Sequence, residues 1–401
     1  MGGSAFPSYN TPRLSHAEYY ALRERITALL SGFYAKIVCP PEAPSKLTHG
    51  DLDLLVCTPL SEFTSQTLAS ALGAVAATKP STTTSYCVPL AAAAHAPCSA
   101  AAEGGAAAAP PARFAQVDLL LVAAEPALPW TLFTRSYGDM QQILGLLQRP
   151  LGLTSNDVGL HVRVPEIERA GNRKAAMLLL SGDVGCMLEF LGLDEEAVRR
   201  GFGSDDEVFE WCLRGRFWGE GVVAALLEER SGERNGAMHA GDRERLRKRD
   251  MFRRFVDEFL PSHQELWKGK ESWSREQVLR EALRVFPVCE TYDVMMHGHN
   301  ALEKEKAFVK EIRSVVPEEG ERLDRVMRGL KRCVDWTDGR PVMLDNEREI
   351  GQRTQWLAQV RDEEKHMLLA WIKKNYVELQ RREQARAQQM KRNRQAVSSA
   401  S

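Results

Sequence analysis

Three aspartates in two aliphatic stretches are the residues best placed to do chemistry. Asp51 and Asp53 alternate with aliphatic residues in Gly50-Asp51-Leu52-Asp53-Leu54-Leu55-Val56. On a strand, successive side chains point to opposite faces, so the two carboxylates share one face and Leu52 and Leu54 the other. Asp118 is the one acid in Phe114-Ala115-Gln116-Val117-Asp118-Leu119-Leu120-Leu121-Val122. A lone carboxylate in such a strand is costly unless it is paired or holds a cation. Carboxylates gathered on neighbouring strands repel one another, and a hard divalent ion such as Mg²⁺ or Mn²⁺ relieves that repulsion while collecting phosphate oxygens. The expectation is therefore that Asp51, Asp53 and Asp118 converge and act as metal ligands and catalytic groups.

The elements that must position these acids are short. After a disordered lead over 1–14, Ser15 is placed to cap a helix reaching about Tyr34. Ala35–Cys39 reads as a strand. The proline-stiffened loop Pro40-Pro41-Glu42-Ala43-Pro44-Ser45 then leads through Lys46 to the two-aspartate strand. A helix is expected over about Leu60–Ala77. Residues 79–113, rich in Thr and Ser and then in Ala, Gly and Pro, read as a low-complexity insertion in a surface loop. Residues 163–240 are expected to be mostly helical, and the chain beyond the linker nearly all helix. Trp211, Phe217 and Trp218 belong to a core, and a linker falls at Ser231–Gly236. Helices follow over Arg243–Phe259, Ser274–Phe286 (capped by Ser274), Leu302–Val316, Gly320–Trp336 and Asn346 to about Arg394. His297-Gly298-His299 has the spacing of a metal pair but no third ligand, and reads as a loop pair.

Composition narrows the function. Hydrophobic residues are 44% and charged residues 27% of 401, enough apolar material for a core in two or three domains. Lys and Arg number 53 against 54 Asp and Glu, so any surface for nucleic acid must be local. Local basic candidates are Arg247 and Lys248 in the first helix after the linker. Others are Arg381, Arg382, Lys391, Arg392 and Arg394 near the C-terminus. The eight cysteines (39, 57, 87, 98, 186, 212, 289 and 333) never form C-x-x-C pairs, which fits reduced thiols inside a cell rather than a zinc site or disulfide framework. The N-terminus carries no apolar signal and no run is of membrane-spanning length, so no membrane partner is expected. Lys391-Arg392-Asn393-Arg394 has the character of a nuclear-import patch, which favours the nucleus over the cytoplasm.

The segment Gly50-Asp51-Leu52-Asp53-Leu54-Leu55 resembles the G-D-x-D-h-L signature of family X DNA polymerases, within the nucleotidyltransferase superfamily. Val117-Asp118-Leu119 resembles that family's third-carboxylate strand. Leu132-Phe133-Thr134-Arg135-Ser136 is similar to its Y-F-T-G-S turn, and Gly152–Leu160 to its G-h-x-h-N-E-Y-x-L segment. Ser181-Gly182-Asp183-Val184 through Leu193 is similar to its closing helix. The resemblance implies a nucleotidyltransferase-type palm, a small mixed sheet with helices on one side; with the mostly α-helical C-terminal half read from the pattern above, the expected fold class is α+β. The resemblance, which covers about 15–200, suggests a palm over 15–165 followed by a thumb-like segment over 166–235; beyond it the chain itself reads as a helical domain over 236–380 and a basic, disordered tail over 381–401.

The sequence departs from the family pattern where the triphosphate is held. The family's G-S-x-R-R-G turn offers backbone N–H groups, a hydroxyl and an arginine to phosphate. Here Pro40–Ser45 stands in its place; prolines remove donors and Glu42 repels phosphate. Ser45, Lys46, Gly50, Arg135 and Ser136 remain as nucleotide-binding candidates, with Phe133 to press on a sugar and Tyr137 to stack on a base. Template-binding helix-hairpin-helix modules find no room before the first helix. The resemblance thus implies template-independent, Mg²⁺- or Mn²⁺-dependent transfer from an NTP or dNTP to a hydroxyl, with RNA or DNA as a candidate acceptor. The alternative is a catalytically inactive module of the same fold that binds nucleic acid or a partner protein.

Overall fold

The computed structural model describes residues 4–90, 112–231, 240–344 and 360–398. Most of the alanine-rich tract, the greater part of the expected linker and the start of the expected last helix lie outside the described residues. The described chain forms two compact units, 1–292 and 293–401. Both sheets and helices are present, and the fold is α+β with a helical C-terminal half.

In the first unit a five-stranded mixed sheet is built from β1 (Tyr34–Val38), β2 (Asp51–Pro59), β3 (Ala76–Ala77), β4 (Thr83–Pro89) and β5 (Phe114–Leu121), in the order β1-β2-β5-β4-β3. Only β2 and β5 run parallel. Helix α1 (His16–Leu30) starts from a Ser15–Glu18 capping box and buries Tyr19, Leu22, Ile26 and Leu30. With α2 (Ser65–Ala71), it covers one sheet face through Leu52, Leu54, Val117 and Leu119. The opposite face is divided. Its far end, Leu55 and Cys57, is closed by Leu128 of α3 (Leu128–Arg135), while the end bearing Asp51 and Asp53 is left without an apolar cover.

Strand β4 corrects the sequence reading, which assigned all of 79–113 to a loop insertion. Thr83-Thr84-Ser85-Tyr86-Cys87-Val88 is rich in β-branched and aromatic residues, and it pairs along the whole of β5, with Tyr86 and Val88 in the core. The helix expected to reach Ala77 also stops at Ala71, because β3 must pair with β4.

After α3 come α4 (Met140–Gln148) and a small antiparallel sheet of β6 (Leu153–Ser155), β7 (Leu160–Arg163) and β8 (Met177–Ser181). Met177-Leu178-Leu179-Leu180 fell in a stretch expected to be helical; its alternation of buried and open residues shows the strand period instead. Helices α5 (Pro165–Arg169), α6 (Val184–Leu191), α7 (Glu195–Arg200), α8 (Asp205–Leu213), α9 (Glu220–Ser231), α10 (Ala240–Lys248) and α11 (Asp250–Arg254) follow, the last running into a π-helical turn, Phe255–Phe259. Trp211, Phe217 and Trp218 are buried as expected. The helix Arg275–Val285 has its capping box between Ser274 and Gln277.

The second unit is held by an apolar cluster including Phe308, Ile312, Leu330, Leu368, Ile372 and Leu379, from the helices Cys289–Val315, Gly320–Cys333 and Lys365–Ser398. A hairpin of Val334–Thr337 and Arg340–Met343 replaces the end of the helix expected to reach Trp336. His297 and His299 lie inside a helix rather than a loop. At two positions apart they project about 200° from each other, which does not suit a shared metal. The basic tail expected to be disordered from 381 is helical to Ser398. Its run is rich in Ala, Gln and Arg, good helix formers, and Arg381 and Arg382 both pair with Glu378 one turn earlier. Among the described residues, no helix is long and apolar enough to cross a membrane.

Candidate active site

The register of β2 and β5 decides where the acids sit. Asp53 lies directly beside Asp118, and Asp51 beside Gln116. Adjacent strands are roughly 4.8 Å apart, so Asp53 and Asp118 are nearest neighbours on one face, with Asp51 one pleat away. On its other side Asp118 is the register partner of Ser85. Among the described residues neither Asp51 nor Asp53 has a hydrogen-bond or ion-pair partner.

The electrostatics follow from that crowding. Asp53 is open to solvent at its surface, yet many protein atoms stand around it. Desolvation, and then the charges of Asp51, Asp118 and Glu42, push its pKa up to about 7. Asp51 is raised too, by desolvation first and Asp118 second. Such a group is stable ionised only if a cation arrives. Carboxylate oxygens are the right donor type for Mg²⁺ or Mn²⁺, and the strand register brings three of them to one face. Their side chains are not gathered round one point, however. Among the described residues, no three or more His, Cys, Asp or Glu groups are arranged to hold a metal ion. One cause is visible. Gln116, buried two residues before Asp118 on the same face, donates its Nε2 to both Asp118 oxygens at 3.0 Å. Its Oε1 in turn accepts from the Ala5 backbone N–H at 3.0 Å. Gln116 was not anticipated from sequence, although its i−2 spacing on a strand was the available signal.

The loop ahead of β2 is tied down rather than open. Lys46 Nζ is 2.6 Å from Glu42 Oε2, so the lysine and the acid neutralise each other. Glu42 also lies 3.4 Å from Nδ1 of His49, a ring stacked on Tyr19 at 3.8 Å and fully buried, with Nε2 unpartnered. Burial lowers the His49 pKa, which keeps the ring neutral. Ser45 bonds through both N–H and Oγ to buried Asp205 at the start of α8, and Arg254 Nη1 reaches the same carboxylate at 3.1 Å. Gly50 ends the loop immediately before Asp51.

Of the remaining nucleotide-binding candidates, the structure presents one to solvent. Phe133 is on the buried face of α3. Ser136 Oγ donates to the Leu132 carbonyl at 2.7 Å and closes the helix end. Tyr137, at φ 56°, receives no ligand-facing position: its N–H donates to Pro41 O at 2.7 Å and its hydroxyl to Val198 O at 3.1 Å. Its ring packs edge-on against Phe202. A sugar or base contact from Phe133 or Tyr137 would thus require unpacking the core. Arg135 alone is exposed and without a partner among the described residues.

The basic candidates are mostly paired. Arg247 and Lys248 of α10 both contact Glu244. Arg381 and Arg382 share Glu378, and Lys391 and Arg392 are exposed on the last helix. The side chain of Arg394 lies outside the described ones.

No family model matches this chain, and no curated protein matches it. Among solved structures it is similar to polymerase β of Leishmania infantum in a ternary gap complex, at 17% identity and a TM-score of 0.27, over 40% of this chain and 54% of that one. The match thus spans about half of that polymerase's length.

Proposed function

We propose that this chain is a metal-dependent nucleotidyltransferase, moving a nucleotidyl group from an NTP or dNTP to a hydroxyl acceptor without a template, with pyrophosphate as the leaving group. The observation that carries the reading is the register pairing of Asp53 with Asp118, with Asp51 on the same face and, among the described residues, no cationic side chain paired to either β2 acid. Asp51, Asp53 and Asp118 would hold Mg²⁺ or Mn²⁺, which when bound neutralises phosphate charge. The chain itself contributes the acidic face, the Leu55–Cys57–Leu128 closure beside it, and Asp118 as the group that takes the acceptor hydroxyl's proton. Arg135 is the side chain free to meet a phosphate. RNA, DNA and small hydroxyl compounds are all candidate acceptors.

A second reading, a catalytically inactive module binding nucleic acid or a partner protein, is favoured by the pairing of Lys46 with Glu42 and of Ser45 with Asp205. These bonds remove two groups that would grip a triphosphate. Incorporation of labelled NTPs and dNTPs into varied acceptors, with Mg²⁺ or Mn²⁺, separates the two. The transferase reading expects incorporation that Asp51→Ala and Asp118→Ala each abolish; incorporation surviving both substitutions sinks it.

A further inference from the structure

Away from the aspartates, the first unit has a cavity of about 500 Å³ bordered by α3, α4, the β6–β7 hairpin and α10. None of Asp51, Asp53 and Asp118 lines it. The volume falls within the roughly 300–1,000 Å³ usual for small-molecule sites. Four arginines line it: Arg135, Arg149, Arg163 and Arg245, against one carboxylate, Asp157, among the described residues.

A buried acid, Asp242, and a partly buried one, Glu168, stand behind these arginines without cancelling them. Asp242 accepts from Arg149 Nη1 at 2.6 Å and from Arg245 Nη1 at 2.7 Å. Glu168 accepts from Arg163 Nη1 at 2.9 Å and also from Arg275. Each carboxylate is thus shared by two guanidinium groups, and Arg135 has none. Surplus positive charge in a half-enclosed polar cavity is held at a cost unless an anion comes to it. Burial and the neighbouring charges of Arg275 and Arg149 lower the Arg163 pKa, partly offset by Glu168. Two polar atoms also lack partners: Arg163 Nε, a donor, and Gln141 Oε1, an acceptor, both on residues lining the cavity.

We propose that this cavity binds a phosphate-bearing small molecule of nucleotide size, its phosphate held by Arg135, Arg149, Arg163 and Arg245. A free nucleotide and a sugar phosphate share that chemistry. The site shares Arg135 with the transferase reading but needs no metal, so binding in EDTA tests it apart from that reading.

Calorimetric titration of the full chain in EDTA and low salt tests it, with AMP, ribose 5-phosphate and adenosine as probes. EDTA keeps any aspartate-held cation out of the measurement. Two variants leave folding intact: Arg135→Gln changes an exposed, unpaired residue, and Gly145→Leu builds a side chain into the cavity from a helical position with open space around its Cβ. AMP or ribose 5-phosphate is expected to bind, with affinity weakened about tenfold in Arg135→Gln and lost in Gly145→Leu, while adenosine does not bind. Tight AMP with silent ribose 5-phosphate assigns the site to nucleotides; binding of both assigns it to the sugar phosphate. The proposal is overturned if neither phosphate compound binds below about 1 mM, if adenosine binds as well as AMP, or if both variants leave affinity unchanged.

Discussion

Asp53 on β2 and Asp118 on β5 are direct register partners in a parallel pair, so two carboxylates of distant sequence origin stand side by side on one open sheet face. Asp51 adds a third. This adjacency is a standing repulsion in the metal-free protein.

Ionising Asp53 should destabilise the metal-free fold. Its folded pKa of about 7 lies above the ordinary aspartate value of 3.8, so between the two the folded state holds a proton that the unfolded chain has released. Stability contributed by the neutral carboxyl is present at low pH and lost as pH rises from about 4 to 7, then level above. Allowing for the exposure of the group, the loss is about 1 kcal/mol. Urea melts in EDTA should show this decline in the wild type and not in Asp53→Asn, and added Mg²⁺ should restore the wild type alone.

Gln116 binds Asp118 through both oxygens. Gln116→Leu leaves that carboxylate without its donor and the Ala5 N–H without its acceptor, which should cost about 1–2 kcal/mol in the metal-free protein. The same change releases Asp118 toward Asp53. Mn²⁺ affinity, followed by electron paramagnetic resonance, is therefore expected to rise in Gln116→Leu.

Asp205 fastens the loop before β2 to the helices after it. Asp205→Ala leaves the Ser45 N–H unpaired, while Arg254 keeps Asp206. The expected loss is about 2–3 kcal/mol, less than for a wholly stranded charge. Ser45→Ala, which keeps the N–H bond, should cost only about 1 kcal/mol. Equal losses in denaturant titrations would show that the carboxylate is not the fastening point.

Gly138 sits under the same loop at φ 64°, where a Cβ would come within 2.9 Å of the Ala43 Cβ. Gly138→Ala combines a left-handed backbone penalty with that collision and should destabilise by about 1–3 kcal/mol. Protease sensitivity should increase at Pro40–Lys46 before it does elsewhere.

The period-two spacing around Asp51 and Asp118 made both central strands and the shared acidic face legible, and Ser15 and Ser274 marked their helices by cap chemistry alone. Strand β4 was hidden because its Thr- and Ser-rich residues run into an alanine tract, and its pairing with β5 crosses that tract. The neutralised loop was hidden for a different reason. Lys46 is a plausible phosphate ligand in sequence, but Glu42 one helical turn's length before it takes its charge. Ser45 is satisfied by an aspartate 160 residues away. Tyr137 likewise looked available until Pro41 and Val198 supplied its partners.

The most direct test of the central claim is Mn²⁺ binding to the full chain by electron paramagnetic resonance, in the wild type and in Asp53→Asn and Asp118→Asn. The wild type should bind Mn²⁺ with Mg²⁺ competing, and either substitution should weaken binding by about tenfold or more. Absence of Mn²⁺ binding in the wild type, or binding unchanged in both variants, would contradict a metal site at Asp51, Asp53 and Asp118.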